Sequence, residues 1–480
     1  MHRLAELAAV LGKNAAPGWE NIILTGISED SRQVRPGYLF VAIGGYKDDG
    51  HRYIGDAIAN GAVAIVGEQE LVPNCPYIRV ENTRLALAEL SSAFFDHPTR
   101  RLFTVGVTGT NGKTTVCHLI AQLLGVRSRA LVSTVENERR GLHAVTTPAS
   151  PLIQRIAASA VAEGDKSMVI EVSSIALSLH RTCGVDFDAA VFTNFTHDHL
   201  DLHGKKEDYL QAKLLLFRRL KSTALAVVNL DDPVAESVIR VTPATVMTYG
   251  INQPARLRAA SVRYRRWGSE FTLAHGGERV LAKLPLPGGH NVYNALAATA
   301  LALNHGLTLS QIAERLAVAT AVAGRYQSYR MKNGATVIVD FAHSPDALKN
   351  MLDSLRPFYR RVICVFGCGG ESDTEKRPLM GEISGMLADF TIITTDNPKS
   401  EPVEGTIAEI EAGIRETGAR YIRIVDREEA IHYAIDSARS GDVVLIAGKG
   451  HETYQIIGDE FVPYSDTAVL NTLLNGLDGG

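Results

Sequence analysis

Gly106-Val107-Thr108-Gly109-Thr110-Asn111-Gly112-Lys113-Thr114-Thr115 is the stretch that decides the fold class of this 480-residue chain. It follows a short apolar run at 101–105 and leads into Val116-Cys117-His118-Leu119-Ile120-Ala121-Gln122-Leu123-Leu124, so it reads as strand, glycine-rich loop and helix. Gly112-Lys113-Thr114 is the G-K-[ST] end of the phosphate-loop pattern G-x-x-x-x-G-K-[ST], with Gly106 and Gly109 ahead of it. In that pattern the backbone N–H groups from Gly109 to Gly112 and the helix N-terminus surround phosphate oxygens, Lys113 reaches the terminal phosphates, and the Thr114 hydroxyl, with Thr115 after it, joins a magnesium ion. The expected ligand is a nucleoside triphosphate with Mg²⁺. The bland alternative, a turn with a surface lysine, has to explain away the agreement of strand, spacing and helix.

Working outward, the length suggests about three domains at roughly 150 residues each. Hydrophobic content of 45% with 21% charged residues is ordinary for a globular chain, and a net charge of −4 provides no basic field for nucleic acid. Cys75, Cys117, Cys183, Cys364 and Cys368 are odd in number and scattered, with no zinc spacing, which reads as buried free thiols in a reducing compartment. The N-terminal segment looks amphipathic and lacks a leader pattern, and no window reaches the length of a membrane span, so no membrane insertion and a cytoplasmic location are expected.

Residues 1–100 alternate short strand-like runs (21–25, 38–43, 62–66, 77–80) with turns and a helix near 53–60, an α/β module with polar loops at 29–32 and 44–51. From 101 to 324 strand–helix alternation becomes regular, as in a mostly parallel sheet with helices on both faces. The runs 167–172 and 189–193 read as buried strands ending in polar residues, and 255–285 is rich in strand-formers and arginines. A turn at 285–290 starts an alanine-rich helix from about Asn291. A break near Gly324 precedes a third alternating segment, 325–480, with parallel strands expected at 336–340, 362–366, 390–394 and 442–447. The fold class is therefore α/β in three domains. The small first domain precedes a central P-loop domain with a mostly parallel sheet and a C-terminal Rossmann-like domain.

Two strand ends supply polar groups beside the phosphate loop. Glu171 ends one strand, and Asn194-Phe195-Thr196-His197-Asp198-His199-Leu200-Asp201 follows the next. A carboxylate and an imidazole there suit a cation, although a buried, hydrogen-bonded histidine is the commoner state. Lys213 lies in the apolar helical run 209–217; on the residues alone it reads as a lysine whose stem covers apolar surface with its ammonium in water.

The pattern of the whole chain adds a resemblance. GVTGTNGKTT, EVSS, TNFTHDHLDLHG, YLQAKLLLF, GHNVYNALAA, GRYQ, VDFAHSPDAL, VFGCGGESDTEKRPLMG, TTDNP and AGKGHETYQ occur in an order and spacing that resemble the Mur ligases, over residues from about 25 to 465. The N-terminal run 29–54 resembles the branch that adds the third amino acid of the peptidoglycan stem peptide. The resemblance implies an ATP-dependent amide ligase, usually monomeric, acting on UDP-MurNAc-L-Ala-D-Glu through an acyl phosphate. It implies a UDP-sugar site in the first domain, ATP in the second and the amino acid in the third, with the domains closing to exclude water.

Residue by residue, the resemblance makes Thr114 and Glu171 ligands for one Mg²⁺, and His199 and Lys213 ligands for a second, with Lys213 carried as a carbamate. Asn291 and Asn294 match an adenine-side pair, and Arg325, Asp340 and His343 match nucleotide contacts at a domain junction. Ser31, Tyr46, Lys47, Thr146, Thr147, Ser173 and Arg181 match the UDP-substrate site. Ser372, Asp396, Asn397, Pro398, Lys399, Gly448 and Glu452 match the amino-acid site, where Glu452 suits a side-chain ammonium.

Departures concentrate at that last site. Relatives that select meso-diaminopimelate carry arginine where this chain has Lys399 and Ser372. Lys399 keeps a charge without the bidentate fork, and Ser372 keeps neither. Ile175 stands where histidine is frequent, and the segment 136–140 is short. The amino acid expected is a diamino acid, meso-diaminopimelate or lysine. The alternatives are a related ligase recruited to another carboxylate and a non-catalytic nucleotide-binding scaffold.

Overall fold

The computed structural model describes residues 2–45, 48–196, 198 and 203–476. Its first sheet has four parallel strands side by side in chain order, Gly26–Ser28, Tyr38–Val41, Ala62–Gly67 and Tyr77–Arg79. The strand expected at 21–25 is broken at Thr25, whose N–H and hydroxyl bond to Gly37 O and Pro36 O at 2.9 Å each. Ile23–Leu24 pairs instead with His2–Arg3. The helix expected at 53–60 is Ile54–Ala59.

The central sheet has nine strands in the order Glu278–Leu284, Gly268–His275, Leu257–Arg265, Thr245–Gly250, Leu225–Asn229, Ala189–Phe192, Phe103–Thr108, Ser167–Glu171 and Leu131–Val132. From Leu257–Arg265 to Leu131–Val132 every pairing is parallel; the arginine-rich segment forms the antiparallel edge. Alternation along the strands divides the apolar residues between two cores. Val105, Val107, Val169, Val191 and Val227 pack against the helices Lys113–Leu124 and Gly289–Asn304. Met168, Ile170, Ala190, Phe192 and Val228 pack against Ser150–Ala162 and Lys206–Arg218 on the other face. Burial on both faces is why these strands read as continuous apolar runs.

The third sheet runs Gln327–Arg330, Thr336–Asp340, Val443–Ala447, Val362–Phe366, Phe390–Ile393 and Tyr421–Arg423, parallel except for its first strand. The helix Thr83–Phe94 of the first unit packs on the central one so closely that a Cβ at Gly184 would meet Ala88 O at 2.2 Å. All five cysteines are free; Cys117, Cys364 and Cys368 are buried as expected, whereas Cys75 and Cys183 are only half-buried. No helix among the described residues is long and apolar enough to cross a membrane.

Candidate active site

The phosphate loop leaves the C-terminal end of Phe103–Thr108, between the neighbouring strands Ala189–Phe192 and Ser167–Glu171. That position is the ligand-binding edge of an open parallel sheet, and it explains which residues meet there. Gly112 takes a left-handed φ of +83° and opens the helix Lys113–Leu124; a Cβ there would meet Asn294 Oδ1 at 2.4 Å. The loop is held from the adjacent strand end: Asn194 O accepts from Thr110 N, and Asn194 Oδ1 from Asn111 N, both at 2.8 Å.

Glu171 is buried under the loop. Both its oxygens accept from Thr114 Oγ1 at 3.1 Å, and Oε2 also takes Thr134 N at 2.9 Å and Thr134 Oγ1 at 3.0 Å. Nothing in the sequence pattern singles out Thr134; it meets Glu171 only because the two strands pair. Lys113 Nζ donates to Gly109 O and Thr110 O at 3.1 and 2.7 Å.

Lys213 overturns the solvent-facing reading. It is 1% exposed, its Nζ donates to Gly109 O at 2.7 Å, and it lies 4.2 Å from the ring centre of Tyr209. Burial first and the neighbouring Lys113 second push its amine well below the ordinary lysine range, with Asp198 opposing. Burial likewise lowers Lys113, with Glu171 and Asp198 opposing. Tyr46, Lys47, His199 and His197 lie outside the described residues. Among the described residues no group of three or more His, Cys, Asp and Glu is arranged to hold a metal.

The third sheet closes over this loop. Arg325 Nη2 donates to Thr114 Oγ1 at 3.2 Å and stacks 4.1 Å from the ring centre of Phe341, while Asn111 Nδ2 donates to Asp346 Oδ2 at 3.0 Å. Asp340 accepts from Tyr326 N and Ala342 N at 2.7 and 2.8 Å; burial raises its carboxyl and Arg325 opposes the shift. His343 Nδ1 lies 2.8 Å from Phe341 O, and burial lowers its affinity for a proton. A cavity of about 690 Å³ between the two sheets is lined by Lys113, Asn291, Asn294, Arg325, Asp340 and His343 among others. Asn294 Nδ2 donates to Asn291 Oδ1 at 3.1 Å, and the pair forms one wall.

Four residues matched to the UDP site cluster on the other side of Glu171. Thr147 Oγ1 donates to Glu171 O at 2.7 Å and accepts from Ser173 N at 3.0 Å, Arg181 Nη1 donates to Thr147 O at 2.8 Å, and Asn137 Nδ2 donates to Thr146 O at 2.9 Å. Arg181 also faces the first unit: burial raises the carboxyl of Glu29 and Arg181 partly offsets it. Ser31, two residues on, is buried. Ile175 sits in the short helix Ser174–Ser178 capped by Ser173.

The amino-acid residues gather at the C-terminal edge of the third sheet. Asn397 Nδ2 donates to Glu452 Oε2 at 3.0 Å, and Gly448, at φ +112°, leaves no room for a Cβ beside Asp396 Oδ2. Glu452, matched to the amino-acid site, is also paired within the chain: fully buried Lys449 donates to its Oε2 and to Asn397 Oδ1, both at 2.8 Å. Burial raises the Glu452 carboxyl and Lys449 opposes it. Lys449 gives no signal in its motif, because a lysine between glycines reads as exposed. Lys399, at φ +50°, points Nζ to Glu371 O at 3.3 Å, its N–H bonds to Ile456 O and Pro398 precedes it; Ser372 Oγ is spent on Gly369 O at 2.8 Å.

These features define a P-loop α/β protein whose cavity at the phosphate loop is shared by two mostly parallel sheets. Residues 23–95 match the family described as Mur ligase family, catalytic domain; 107–302 match Mur ligase middle domain; and 324–450 match Mur ligase, glutamate ligase domain. The chain belongs to the Mur ligase family of ATP-dependent ligases. It is 44% identical over 458 residues, 93% of this chain and 94% of the relative, to the UDP-N-acetylmuramoyl-L-alanyl-D-glutamate–2,6-diaminopimelate ligase of Geobacillus thermodenitrificans. The enzyme of the same name from Caldanaerobacter subterraneus is 40% identical over 470 residues, 96% of this chain and 97% of its own length. A solved structure bearing that ligase name covers the whole of both chains at 30% identity with a TM-score of 0.69.

Proposed function

We propose that this chain joins 2,6-diaminopimelate to the D-glutamyl carboxylate of UDP-MurNAc-L-Ala-D-Glu, with ATP converted to ADP and phosphate, as a cytoplasmic monomer serving peptidoglycan synthesis. Its three units, 1–100, 101–324 and 325–480, hold the UDP-sugar, ATP and the amino acid respectively. The observation that carries the reading is the Thr114–Glu171 pair under the phosphate loop with Arg325 reaching it from the third sheet. The ligase names of relatives that align over more than nine-tenths of the chain select the substrates.

In the first step a carboxylate oxygen of the D-glutamyl group attacks the γ-phosphorus, and ADP departs with the electrons of the broken P–O bond. In the second, the amine attacks the acyl carbon, the tetrahedral adduct expels phosphate, and the amine gives up a proton. Lys113 and the loop N–H groups offset the charge carried by the phosphoryl oxygens. Thr114 and Glu171 offer hard oxygen donors of the kind Mg²⁺ takes, which would supply further neutralisation there, and His199 with a carbamate on Lys213 would hold a second ion. Burial keeps the Lys213 amine in the form that adds CO₂ with loss of a proton, giving an anionic carbamate in place of a cation crowded by Lys113. Asn291 and Asn294 line the nucleotide's far side, with Arg325, Asp340 and His343 at the junction.

Ser31, Tyr46, Lys47, Thr146, Thr147, Ser173 and Arg181 bind the UDP-dipeptide. Ser372, Asp396, Asn397, Pro398, Lys399, Gly448 and Glu452 form the amino-acid pocket, where Lys399 offers the distal carboxylate a point charge instead of a bidentate fork. The test is purified protein with UDP-MurNAc-L-Ala-D-Glu, ATP and Mg²⁺, given diaminopimelate, lysine, ornithine or neutral amino acids singly. Tripeptide mass and phosphate release are expected with diaminopimelate. Turnover with lysine alone would transfer the reading to a lysine-adding ligase.

A further inference from the structure

The short stretch 136–140 lies within a run, 134–147, that touches residues of all three proposed substrate sites. At its start Thr134 N and Oγ1 donate to Glu171 Oε2 at 2.9 and 3.0 Å, beside the phosphate loop. At its end Asn137 Nδ2 donates to Val145 O and Thr146 O at 2.9 Å each, which folds the chain back onto the helix Thr134–Arg139 and holds the approach to Thr147. Between these anchors the run reaches the third unit. Ala144 N donates to Tyr454 Oη at 3.0 Å, and Glu138 Oε1 accepts from Thr453 Oγ1 at 2.6 Å. The His143 ring lies 5.1 Å from that of Tyr454 and 5.6 Å from that of Phe461, with its Nδ1 3.0 Å from Glu138 Oε1. Ala144 has a left-handed φ of +56°, a conformation alanine adopts only at a cost, and Tyr454 holds the N–H which that turn presents.

On the far side, Thr453 and Tyr454 directly follow Glu452. Tyr454, 3% exposed, opens the strand Tyr454–Ile457, which pairs with Glu460–Pro463. That strand carries residues proposed for the amino acid: Gln455 Nε2 donates to Asp396 O at 3.0 Å, Ile456 N to Asn397 Oδ1 at 3.1 Å, and Lys399 N to Ile456 O at 2.9 Å. One tyrosine is thus tied on one side to the central unit's backbone and on the other to the strand beneath Asp396, Asn397 and Lys399. Amide formation needs the amine and the acyl carbon at near-attack distance, and a displacement of about 1 Å costs up to about 100-fold in rate. With the two groups held by different sheets, contacts that cross between the sheets set that distance.

We infer that Tyr454 is a positioning residue for amide formation. With Thr453 on Glu138, it fixes the amino-acid side of the third sheet to the run 134–147, so that the amine reaches the acyl phosphate before water does. Tyr454 touches no reacting atom. The competing step is attack of water on the acyl carbon, which breaks the bond to the phosphate oxygen and returns the D-glutamyl carboxylate with free phosphate. This role rests on the ligase reading of the site.

The test uses Tyr454→Phe, which removes one oxygen, Tyr454→Ala, and Glu138→Ala, which opens the same clamp from the central unit, each in the full chain. Tripeptide and phosphate are measured together, with Tm and with the acyl phosphate formed without amino acid, trapped by borohydride reduction. Tyr454→Phe is expected to lower kcat/KM for diaminopimelate by about tenfold and Tyr454→Ala by about 100-fold. Trapped acyl phosphate, the KM for ATP and Tm stay near their original values in the phenylalanine variant. Phosphate released per tripeptide rises above one in both tyrosine variants and in Glu138→Ala, a change that a merely structural role would not produce. If the alanine variant fails to fold, the phenylalanine variant decides. An unchanged ratio of phosphate to tripeptide in Tyr454→Phe, trapping that falls in step with the rate, or a lowered Tm that accounts for the loss would each overturn the inference. So would a normal ratio in Glu138→Ala, since Tyr454 would then act within its own unit. Failure of the ligase reading shows in the unmodified protein, which would form no tripeptide; failure of the inference alone shows only in the variants.

Discussion

Two lysines converge on one carbonyl: Lys213 and Lys113 donate to Gly109 O at 2.7 and 3.1 Å. Two cations cannot share so small a buried space cheaply, which favours an anionic form of one of them. Lys213→Ala should therefore lower tripeptide formation by about 1,000-fold or more, on the scale of losing a preorganised charged group. Added short-chain carboxylic acids should restore part of it, and full activity in the variant would remove the carbamate role. At Gly112 the φ of +83°, and the 2.4 Å that would separate an added Cβ from Asn294 Oδ1, make alanine costly on two counts. Gly112→Ala should destabilise by about 1–3 kcal/mol and raise the KM for ATP, read by thermal melting and ATP titration. The glycines and Lys113 were legible because their roles follow from local spacing. The burial of Lys213 was not, since it depends on Gly109, 104 residues away.

Between elements, polar pairs fix what the apolar cores leave loose. Arg427 Nε and Nη2 donate to the two oxygens of Asp466 at 2.8 Å each, both side chains almost wholly buried, and tie the helix Asp466–Gly476 to Arg427–Ser437. Asp466→Ala strands the guanidinium and should cost about 3–5 kcal/mol in denaturant unfolding. Lys449 plays the corresponding part in the proposed amino-acid pocket by holding Asn397 and Glu452 together. Lys449→Met should raise the KM for diaminopimelate at least about tenfold while leaving that for ATP near its original value. The strands were legible from their apolar runs; the antiparallel edge at 257–284 and these pairs were not, because partners 39 or 52 residues apart carry no periodic signal.

Over the whole molecule, neutral histidines make stability pH-dependent. Burial holds His118 and His290 at about 4 and His451 at about 3, against 6.5 when exposed. Below 6.5 the unfolded chain binds protons that the folded chain refuses, so their contribution is complete above 6.5 and is lost as pH falls towards 4. Tm should fall across that window, and replacing His118 and His290 with glutamine should flatten the fall. Raised carboxyls at Glu29, Asp232, Asp340 and Asp346 act in the opposite sense. Three sheets in succession were legible from the changing rhythm of the chain. Their contacts were not: Arg325 on Thr114 and Asn111 on Asp346 join residues more than 200 positions apart.

The central claim, that two sheets close on ATP to activate a D-glutamyl carboxylate for an amine, is tested most directly by the product. With UDP-MurNAc-L-Ala-D-Glu, ATP, Mg²⁺ and diaminopimelate, mass spectrometry should find the UDP-MurNAc-tripeptide in step with released phosphate. Phosphate release without tripeptide, or no reaction with any amino acid offered, would contradict it.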